Sequence, residues 1–312
     1  MIAASPPEAQ AVQLARTLLP ALPALLAAWA VDRLCAVRGL SPPGFRQPGR
    51  RAIAFAALAF VLWVGVFAPL GMIGLAAVPD LAGVSTPRLF LLHGLMVGAT
   101  LLWLLAGFAG LPAAPPGPPP IEAELPGPQP ARNRPPLLRL LGLQLGLAAP
   151  DVPREIGLGL AIGLGAWVVV LGALVVLALL LFAFGAEGLV PKEPPALIPW
   201  IAALPFGVRL LLSLSAGFVE EGFFRGFLQP RVGILLSTFF FVLAHASYGQ
   251  PFMLVGIAIL SLIYGNLVQW RQNIWPAIAA HALFDGVQLL VIIPAALKLM
   301  GGHLPAAALL GL

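Results

Sequence analysis

Residues 157–184, GLGLAIGLGAWVVVLGALVVLALLLFAF, form an apolar run without a single charged side chain. A helix needs about 20 apolar residues to cross the roughly 30 Å hydrocarbon core of a bilayer, and this run exceeds that length. The whole chain has the same character, because 60% of its residues are hydrophobic and only 9% are charged. A soluble protein of this size needs far more charge to cover its surface. The run therefore predicts a membrane-spanning helix in an integral membrane protein.

Similar apolar runs on both sides of this segment predict an all-α, polytopic transmembrane helical bundle of about eight spans. The predicted spans are 12–31, 52–78, 89–111, 157–184, 208–228, 232–248, 252–270 and 274–297. A Pro-rich segment at 111–136, which cannot form a packed core, separates the first three spans from the last five. We therefore expect an N-terminal three-span region at 1–111, a cytoplasmic linker at 112–156 and a C-terminal five-span region at 157–312.

Most of the cations lie in alternate connections between the predicted spans. These connections contain the arginines of 33–51 and 132–154, Arg231 and Arg271, whereas the other connections are poor in cations. The positive-inside rule places the four basic connections in the cytoplasm. Membrane anchoring accounts for the net charge of +5, so the expected partner is the lipid bilayer and not nucleic acid. A composition rich in Ala, Gly, Pro and Arg favours the cytoplasmic membrane of a bacterium.

Ionisable side chains interrupt the apolar runs in the C-terminal region. The acids and histidines found there are Glu220, Glu221, His245, His281 and Asp285. A charged side chain at the centre of a membrane helix costs on the order of 2.5–3.5 kcal/mol, so such groups are expected to pair or to face a wet cavity. Counted from Arg231 and Arg271 at about 1.5 Å per residue, these side chains lie roughly 15–21 Å from the cytoplasmic surface. Three spans therefore carry them at a similar depth, and we expect them to converge on one site.

Spacing within the helices agrees with a shared site. Glu221 and Arg225 are four residues apart, as are His281 and Asp285, so each pair lies on one helix face. We expect Glu221 and Arg225 to form a buried ion pair. Small residues on the same span should let other helices approach it closely, namely Gly217, Gly222 and Gly226.

Three short motifs in this region resemble those of a known family. Residues 220–225 (EEGFFR) resemble the E-E-x-x-x-R motif of the CPBP family of CAAX proteases and bacteriocin-processing enzymes, also called Abi. Residues 241–245 (FVLAH) resemble its F-x-x-x-H motif, and residues 281–285 (HALFD) resemble its H-x-x-x-N or H-x-x-x-D motif. The order of the motifs is that of the family, and the resemblance covers about 197–297. It implies a membrane endopeptidase related to the Ras-converting CAAX endopeptidase.

The resemblance also implies roles for the motif residues in peptide hydrolysis. Glu220 would be the general base that activates a water molecule, with His245 helping to polarise that water. His281 would face the oxyanion that develops on the carbonyl group. Together with Glu221 these form the expected catalytic set.

Two further residues are expected to support that set. Arg225 would pair with Glu221 and hold the first motif in place. Position 285 is Asp, whereas the eukaryotic CAAX enzymes have Asn there. An ionised carboxylate cannot donate a hydrogen bond to an oxyanion. Orienting His281 is therefore the role expected of Asp285.

No cofactor is favoured by the sequence, although zinc remains an alternative. Two histidines and a glutamate could form a zinc site with an open fourth position for water, with Glu220, Glu221, His245 and His281 as candidates. The neighbouring glutamate would then act as the base. The H-E-x-x-H motif of soluble zinc proteases does not occur in the sequence, and a single cysteine, Cys35, cannot form a thiolate cluster. The favoured hypothesis is a metal-free glutamate mechanism acting on a peptide or protein substrate.

Two other classes of function remain open from sequence. One is a non-catalytic membrane scaffold of the same family, and the other is an ion-coupled transporter. A transporter should have carboxylates along a path or repeated in two halves, and the sequence shows neither pattern. His93, near the start of the third predicted span, has no partner at helical spacing and is predicted to be structural or interfacial.

Overall fold

The computed structural model describes residues 19–68, 86–110, 136–191 and 197–299. Within these four ranges the chain forms helices joined by turns, and no β-strand occurs in them. The all-α prediction is therefore confirmed. Some of the helices in the described ranges are long and apolar enough to cross a membrane, namely Pro48–Phe67, Phe90–Phe108, Val152–Ala183, Pro251–Arg271 and Trp275–Leu299.

The helices are numbered here in chain order. The first three are α1 (Ala21–Val37), α2 (Pro48–Leu62), which continues as a π-helical turn over Trp63–Phe67, and α3 (Thr86–Phe108). The next three are α4 (Leu137–Gln144), α5 (Val152–Ala183) and α6 (Leu197–Ala202). The last six are α7 (Phe206–Glu221), α8 (Gln229–Val232), α9 (Ile234–Ala244), α10 (Pro251–Arg271), α11 (Trp275–Val287) and α12 (Ile293–Leu299). Two more π-helical turns follow α7 and α11, at Gly222–Leu228 and Gln288–Ile292.

The predicted spans agree with these helices to different degrees. The spans predicted at 157–184 and 252–270 correspond to α5 and α10, and the span at 208–228 corresponds to α7 with the π-helical turn after it. The span predicted at 232–248 is instead the 11-residue helix α9. At about 1.5 Å per residue α9 is only about 16 Å long, roughly half of the hydrocarbon core. The count of about eight spans therefore stays a prediction.

Parts of the predicted organisation fall outside the described residues. They include the start of the span at 12–31, the end of the span at 52–78 and most of the Pro-rich segment. In the described part of the predicted linker, α4 is helical and buries the side chain of Leu141. The division of the chain into three regions also stays a prediction.

The N-terminal helices and the motif-bearing helices share one hydrophobic core. Trp103 of α3 lies edge-on against Phe227, with 4.9 Å between the ring centroids, and Phe67 contacts Phe240 of α9 at 6.1 Å. Such aromatic contacts stabilise helix packing by dispersion forces. In a membrane interior these forces matter because the hydrophobic effect does not drive helix association. The first three helices therefore support the part of the chain that carries the motifs.

The basic connections lie together at one end of the bundle. The guanidinium of Arg38 donates to the backbone carbonyl of Arg231, and Glu155 forms a salt bridge with Arg271 at 2.5 Å. The backbone N–H of Ile274 donates to the carbonyl of Gly146 at 3.0 Å. These contacts join the first, third, fifth and seventh connections, which the arginine pattern assigns to one side of the membrane. That this side is the cytoplasm stays a prediction.

Glycines let α5 and α7 pack closely on either side of α11. A Cβ atom at Gly163 of α5 would lie 2.7 Å from the carbonyl oxygen of Ala280, and one at Gly217 of α7 would lie 2.8 Å from that of Ile278. The prediction for Gly217 is thus correct. The prediction for Gly222 is wrong, because a Cβ atom there meets nothing within 4 Å among the described residues. Small residues thus bring two backbones onto the helix that carries His281.

We expect Gly163→Ala to destabilise the protein, whereas Gly165→Ala two residues away should not. The added methyl group at position 163 meets the backbone of α11, and overpacking of this kind costs about 1–3 kcal/mol. A Cβ atom at Gly165 meets nothing within 4 Å, and alanine favours the helix. Thermal unfolding in detergent measures both variants, and only Gly163→Ala should have a lower unfolding midpoint than the unaltered protein. Equal midpoints for the two variants would show that the α5–α11 contact is looser than described.

Candidate active site

The first motif lies where α7 changes into a π-helical turn. Glu220 and Glu221 are the last two residues of α7, and the turn begins at Gly222. A π-helical turn leaves backbone carbonyls with altered partners, and such turns often occur at functional sites. Here the hydroxyl of Ser237, on α9, donates to the carbonyl of Phe224 at 2.7 Å. This hydrogen bond ties the turn to the helix that ends at His245.

The carboxylate of Glu221 connects the first and third motifs. Its Oε1 lies 3.0 Å from Nη1 of Arg225 and 2.8 Å from Nδ1 of His281. The side chain of Glu221 is fully buried, and that of Arg225 is 1% exposed. The structure thus contains the ion pair expected from the spacing and adds His281 as a second partner. One buried carboxylate oxygen thereby joins the end of α7 to α11.

Aromatic rings surround the buried guanidinium of Arg225. Its central carbon lies 4.1 Å from the ring centroid of Phe241 and 5.8 Å from that of Tyr264. A cation over an aromatic face is stabilised by the ring quadrupole, more strongly when it is desolvated. Phe241, the first residue of the F-x-x-x-H motif, therefore stacks on Arg225, the arginine of the E-E-x-x-x-R motif.

His281 lies between two carboxylates. Its Nδ1 contacts Glu221, and its Nε2 lies 3.4 Å from Oδ2 of Asp285, one turn along α11. A neutral imidazole has only one N–H, so the imidazolium form is the one that can donate to both carboxylates. The ring of Tyr264 stacks on His281, with 5.6 Å between centroids and 25° between the ring planes. Three contacts therefore hold the orientation of this imidazole.

The position of His245 follows from the end of α9. The helix stops at Ala244, and Nδ1 of His245 donates to the carbonyl of Phe241 at 2.8 Å. The last carbonyls of a helix lack backbone partners, so a side-chain donor at this point satisfies one of them. The contact requires a proton on Nδ1. In the neutral ring, Nε2 is then the nitrogen with a lone pair, and it lies 3.7 Å from Oε2 of Glu220.

These groups meet at a cavity of about 320 Å³. The acidic and histidine residues of its lining, in the described part of the chain, are Glu220, His245, His281, Asp285 and His93, and the other lining side chains are largely apolar. Oε2 of Glu220 has no hydrogen-bond partner among the described residues. Glu221 and Arg225 lie behind this lining. The two adjacent glutamates therefore occupy different surroundings, one facing the cavity and the other inside the packed core.

His93 is the cavity residue that the sequence argument missed. Its Nδ1 lies 3.0 Å from the hydroxyl of Ser215, and that hydroxyl donates to the carbonyl of Leu212. The hydroxyl therefore accepts from Nδ1, which leaves Nε2 as the ring nitrogen with the lone pair. The available signal was a histidine inside an apolar run, but its partner lies 122 residues away in the chain. Helical spacing therefore gave no indication of this contact.

Both histidines of the zinc alternative already have other partners in the described structure. No group of three or more His, Cys, Asp or Glu side chains in the described ranges is placed to hold a metal ion. Both ring nitrogens of His281 face carboxylates, and Nδ1 of His245 is engaged with a backbone carbonyl. Zinc ligation by both histidines would require at least His281 to leave one of its partners.

Comparison with known proteins gives a family match for this part of the chain. Residues 200–287, which contain all three motifs, match the family model described as type II CAAX prenyl endopeptidase Rce1-like. The resemblance inferred from the motifs is thereby confirmed over this segment, which is less than a third of the chain.

A curated relative extends the comparison only slightly. The protein called "Uncharacterized protein YpbD" from Bacillus subtilis (strain 168) is 29% identical over 79 residues. The aligned region covers 25% of this chain and 42% of that protein, so the chain spans less than half the length of this relative. No solved structure matches the chain.

We expect Arg225→Ala to lower the stability of the protein strongly. Loss of one partner of a buried ion pair costs about 3–5 kcal/mol, and the contact of Glu221 with His281 should keep the loss near the lower limit. A matched control is Arg51→Ala, which removes a 2.6 Å pair with Asp32 on the surface, where Arg51 is 45% exposed. That loss should be about 1 kcal/mol or less. Thermal unfolding in detergent and the yield of folded protein measure the stability of both variants. Equal losses of stability for Arg225→Ala and Arg51→Ala would contradict a buried pair.

Proposed function

We propose that this chain is an intramembrane endopeptidase that hydrolyses peptide bonds of membrane-associated protein or peptide substrates. The observation that carries the proposal is Oε2 of Glu220, which has no hydrogen-bond donor among the described residues and lies 3.7 Å from Nε2 of His245 at a mostly apolar cavity. A carboxylate oxygen without a hydrogen-bond partner next to an imidazole is suited to a water-activating base. The family match of residues 200–287, whose printed description is an endopeptidase, supports the same reaction class.

The first step would be activation of a water molecule by Glu220. The 3.7 Å between Oε2 of Glu220 and Nε2 of His245 is too long for a direct hydrogen bond. A water molecule in the cavity would donate one proton to the Glu220 carboxylate and the other to Nε2 of His245. Glu220 would take the first proton while the water oxygen forms a bond to the carbonyl carbon of the substrate. His245, held by Phe241, would orient that water.

His281 would stabilise the tetrahedral intermediate. As the carbonyl oxygen gains negative charge, it needs a donor that is already in place. Nε2 of His281 lines the cavity side of a ring whose Nδ1 is held by Glu221, and its 3.4 Å distance to Asp285 is a weak contact. The N–H would therefore be shared between Asp285 and the oxyanion while the ring keeps its orientation. The proton carried by Glu220 would then pass to the leaving amine as the C–N bond breaks.

Glu221, Arg225 and Asp285 would act as positioning residues. Glu221 lies behind the cavity and fixes the Nδ1 side of His281, and Arg225 compensates the buried carboxylate. Asp285 lies at the cavity, 30% exposed, and faces the other side of the same ring. None of these roles requires contact between Glu221 or Arg225 and the substrate.

The apolar lining of the cavity supports a substrate that comes from the membrane. Its side chains include Val170, Leu174, Leu260 and Phe284, supplied by α5, α10 and α11. An extended peptide segment with apolar side chains fits such a lining better than a charged one. We place the protein in the cytoplasmic membrane of a bacterium, in agreement with its composition and its basic connections.

Glu220→Gln should abolish peptide cleavage while leaving the melting temperature near that of the unaltered protein. Glutamine keeps the shape and hydrogen-bonding capacity of the side chain but cannot accept the proton. New amino termini in a library of membrane peptides, incubated with the purified protein in liposomes, report cleavage. The exposed Glu187→Gln is the matched control and should cleave normally.

Three further variants and a test with a metal chelator complete this experiment. His245→Ala and His281→Ala should be severely impaired, and Asp285→Asn should stay active because an amide can still hydrogen-bond to His281. A metal-free enzyme should also be insensitive to 1,10-phenanthroline, whereas loss of cleavage that zinc restores would point to a metalloprotease. Full cleavage by Glu220→Gln would defeat both mechanisms, and absence of cleavage by the unaltered protein would favour a scaffold.

A further inference from the structure

A second cavity, of about 550 Å³, lies at the basic end of the bundle. Its charged lining residues are Arg38, Arg225 and Arg231, and no Asp or Glu of the described residues lines it. Arg225 has its charge compensated by Glu221. The other two guanidiniums give the cavity a positive charge that no carboxylate in its lining offsets.

Arg231 is buried in a way that leaves its charge without an acidic partner. Arg231 is only 5% exposed, and it forms no salt bridge with any of the described residues. Its Nη1 donates to the carbonyl of Phe227, its guanidinium lies 4.6 Å from the ring centroid of Trp103, and its Nε has no hydrogen-bond partner in the described ranges. Burial of an unpaired charge is costly. The contrast with Arg225 and Arg271, each paired with a glutamate, points to a missing anion.

Further donors suited to an anion belong to the lining of this cavity. Arg38 is exposed, and one of its N–H groups donates to the backbone carbonyl of Arg231 at 3.2 Å, which holds its guanidinium beside that residue. Gln269 and Gln272, which carry amide groups, belong to the same lining. Two guanidinium forks with neighbouring amides match the oxygens of a phosphate group, which arginine binds with paired hydrogen bonds.

We infer that this cavity binds a phosphate group, supplied by an anionic phospholipid or by free phosphate. The site lies at the end of the bundle where the basic connections meet, which is the level of lipid headgroups. Leu40, Leu143 and Val268 line it as well, and they give the acyl chains of a lipid an apolar surface to contact. The inference is independent of peptidase activity, because it rests on residues outside the catalytic cavity.

Calorimetric titration of the full chain in non-ionic detergent tests the inference. The ligands are inorganic phosphate, dihexanoyl-phosphatidylglycerol and, as the phosphate-free control, dihexanoylglycerol. We expect saturable binding of phosphatidylglycerol, of inorganic phosphate or of both, with one site per chain and no binding of dihexanoylglycerol. Binding of the lipid alone identifies a headgroup site, and binding of inorganic phosphate alone or with equal affinity identifies a free-anion site.

The variant Arg38→Gln should weaken the binding about tenfold or more, as expected for loss of a charge-assisted hydrogen bond. Arg38 is exposed, so its replacement should leave the melting temperature unchanged. The matched control is Arg33→Gln on α1, which ends just before Arg38. Arg33 is an exposed arginine that lines a different surface depression, and this variant should bind like the unaltered chain. Equal weakening by both variants, or no saturable binding by either phosphate compound, would overturn the inference.

Discussion

The buried carboxylate of Glu221 is the constraint on which the rest of the site depends. It holds Arg225 on its own helical segment and His281 on α11 through a single oxygen atom. A carboxylate with no exposed surface is tolerated only when its charge is compensated and its oxygen is hydrogen-bonded. The backbones make this contact possible, because Gly217, one turn before Glu221, meets Ile278, about one turn before His281. Close helix packing and the ion pair are therefore two parts of the same arrangement.

Two adjacent glutamates serve different purposes because successive helical residues point about 100° apart. Glu221 points into the core, where it fixes His281, and Glu220 points toward the cavity and His245. Each histidine has one ring nitrogen held by a strong acceptor, the Phe241 carbonyl for His245 and Glu221 for His281. The other nitrogen of each ring lies at the cavity. Each imidazole is thus oriented through one nitrogen and presents the other to the cavity, as preorganised catalysis requires.

The sequence indicated which ionisable side chains converge more accurately than it indicated where the helices end. Glu220, His245 and His281 stood out because ionisable groups in apolar runs are costly, and their common depth indicated convergence. His93 shares that signal, but its contact with Ser215 crosses 122 residues and has no periodicity to reveal it. The span predicted at 232–248 is longer than α9, which begins at Ile234 and ends at Ala244, where His245 donates to the carbonyl of Phe241. Composition indicates burial in a membrane, whereas the ends of helices depend on individual hydrogen bonds.

A double-mutant cycle between Glu221 and His281 measures the central interaction most directly. Glu221→Gln, His281→Ala and the double variant would be compared by free energy of unfolding in detergent, with Asp32→Asn and His281→Ala as the distant control pair. We expect a coupling energy of about 1–3 kcal/mol between Glu221 and His281, and additivity within about 0.5 kcal/mol for the control pair. Additive losses for Glu221 and His281 would contradict the claim that this carboxylate holds His281 in place.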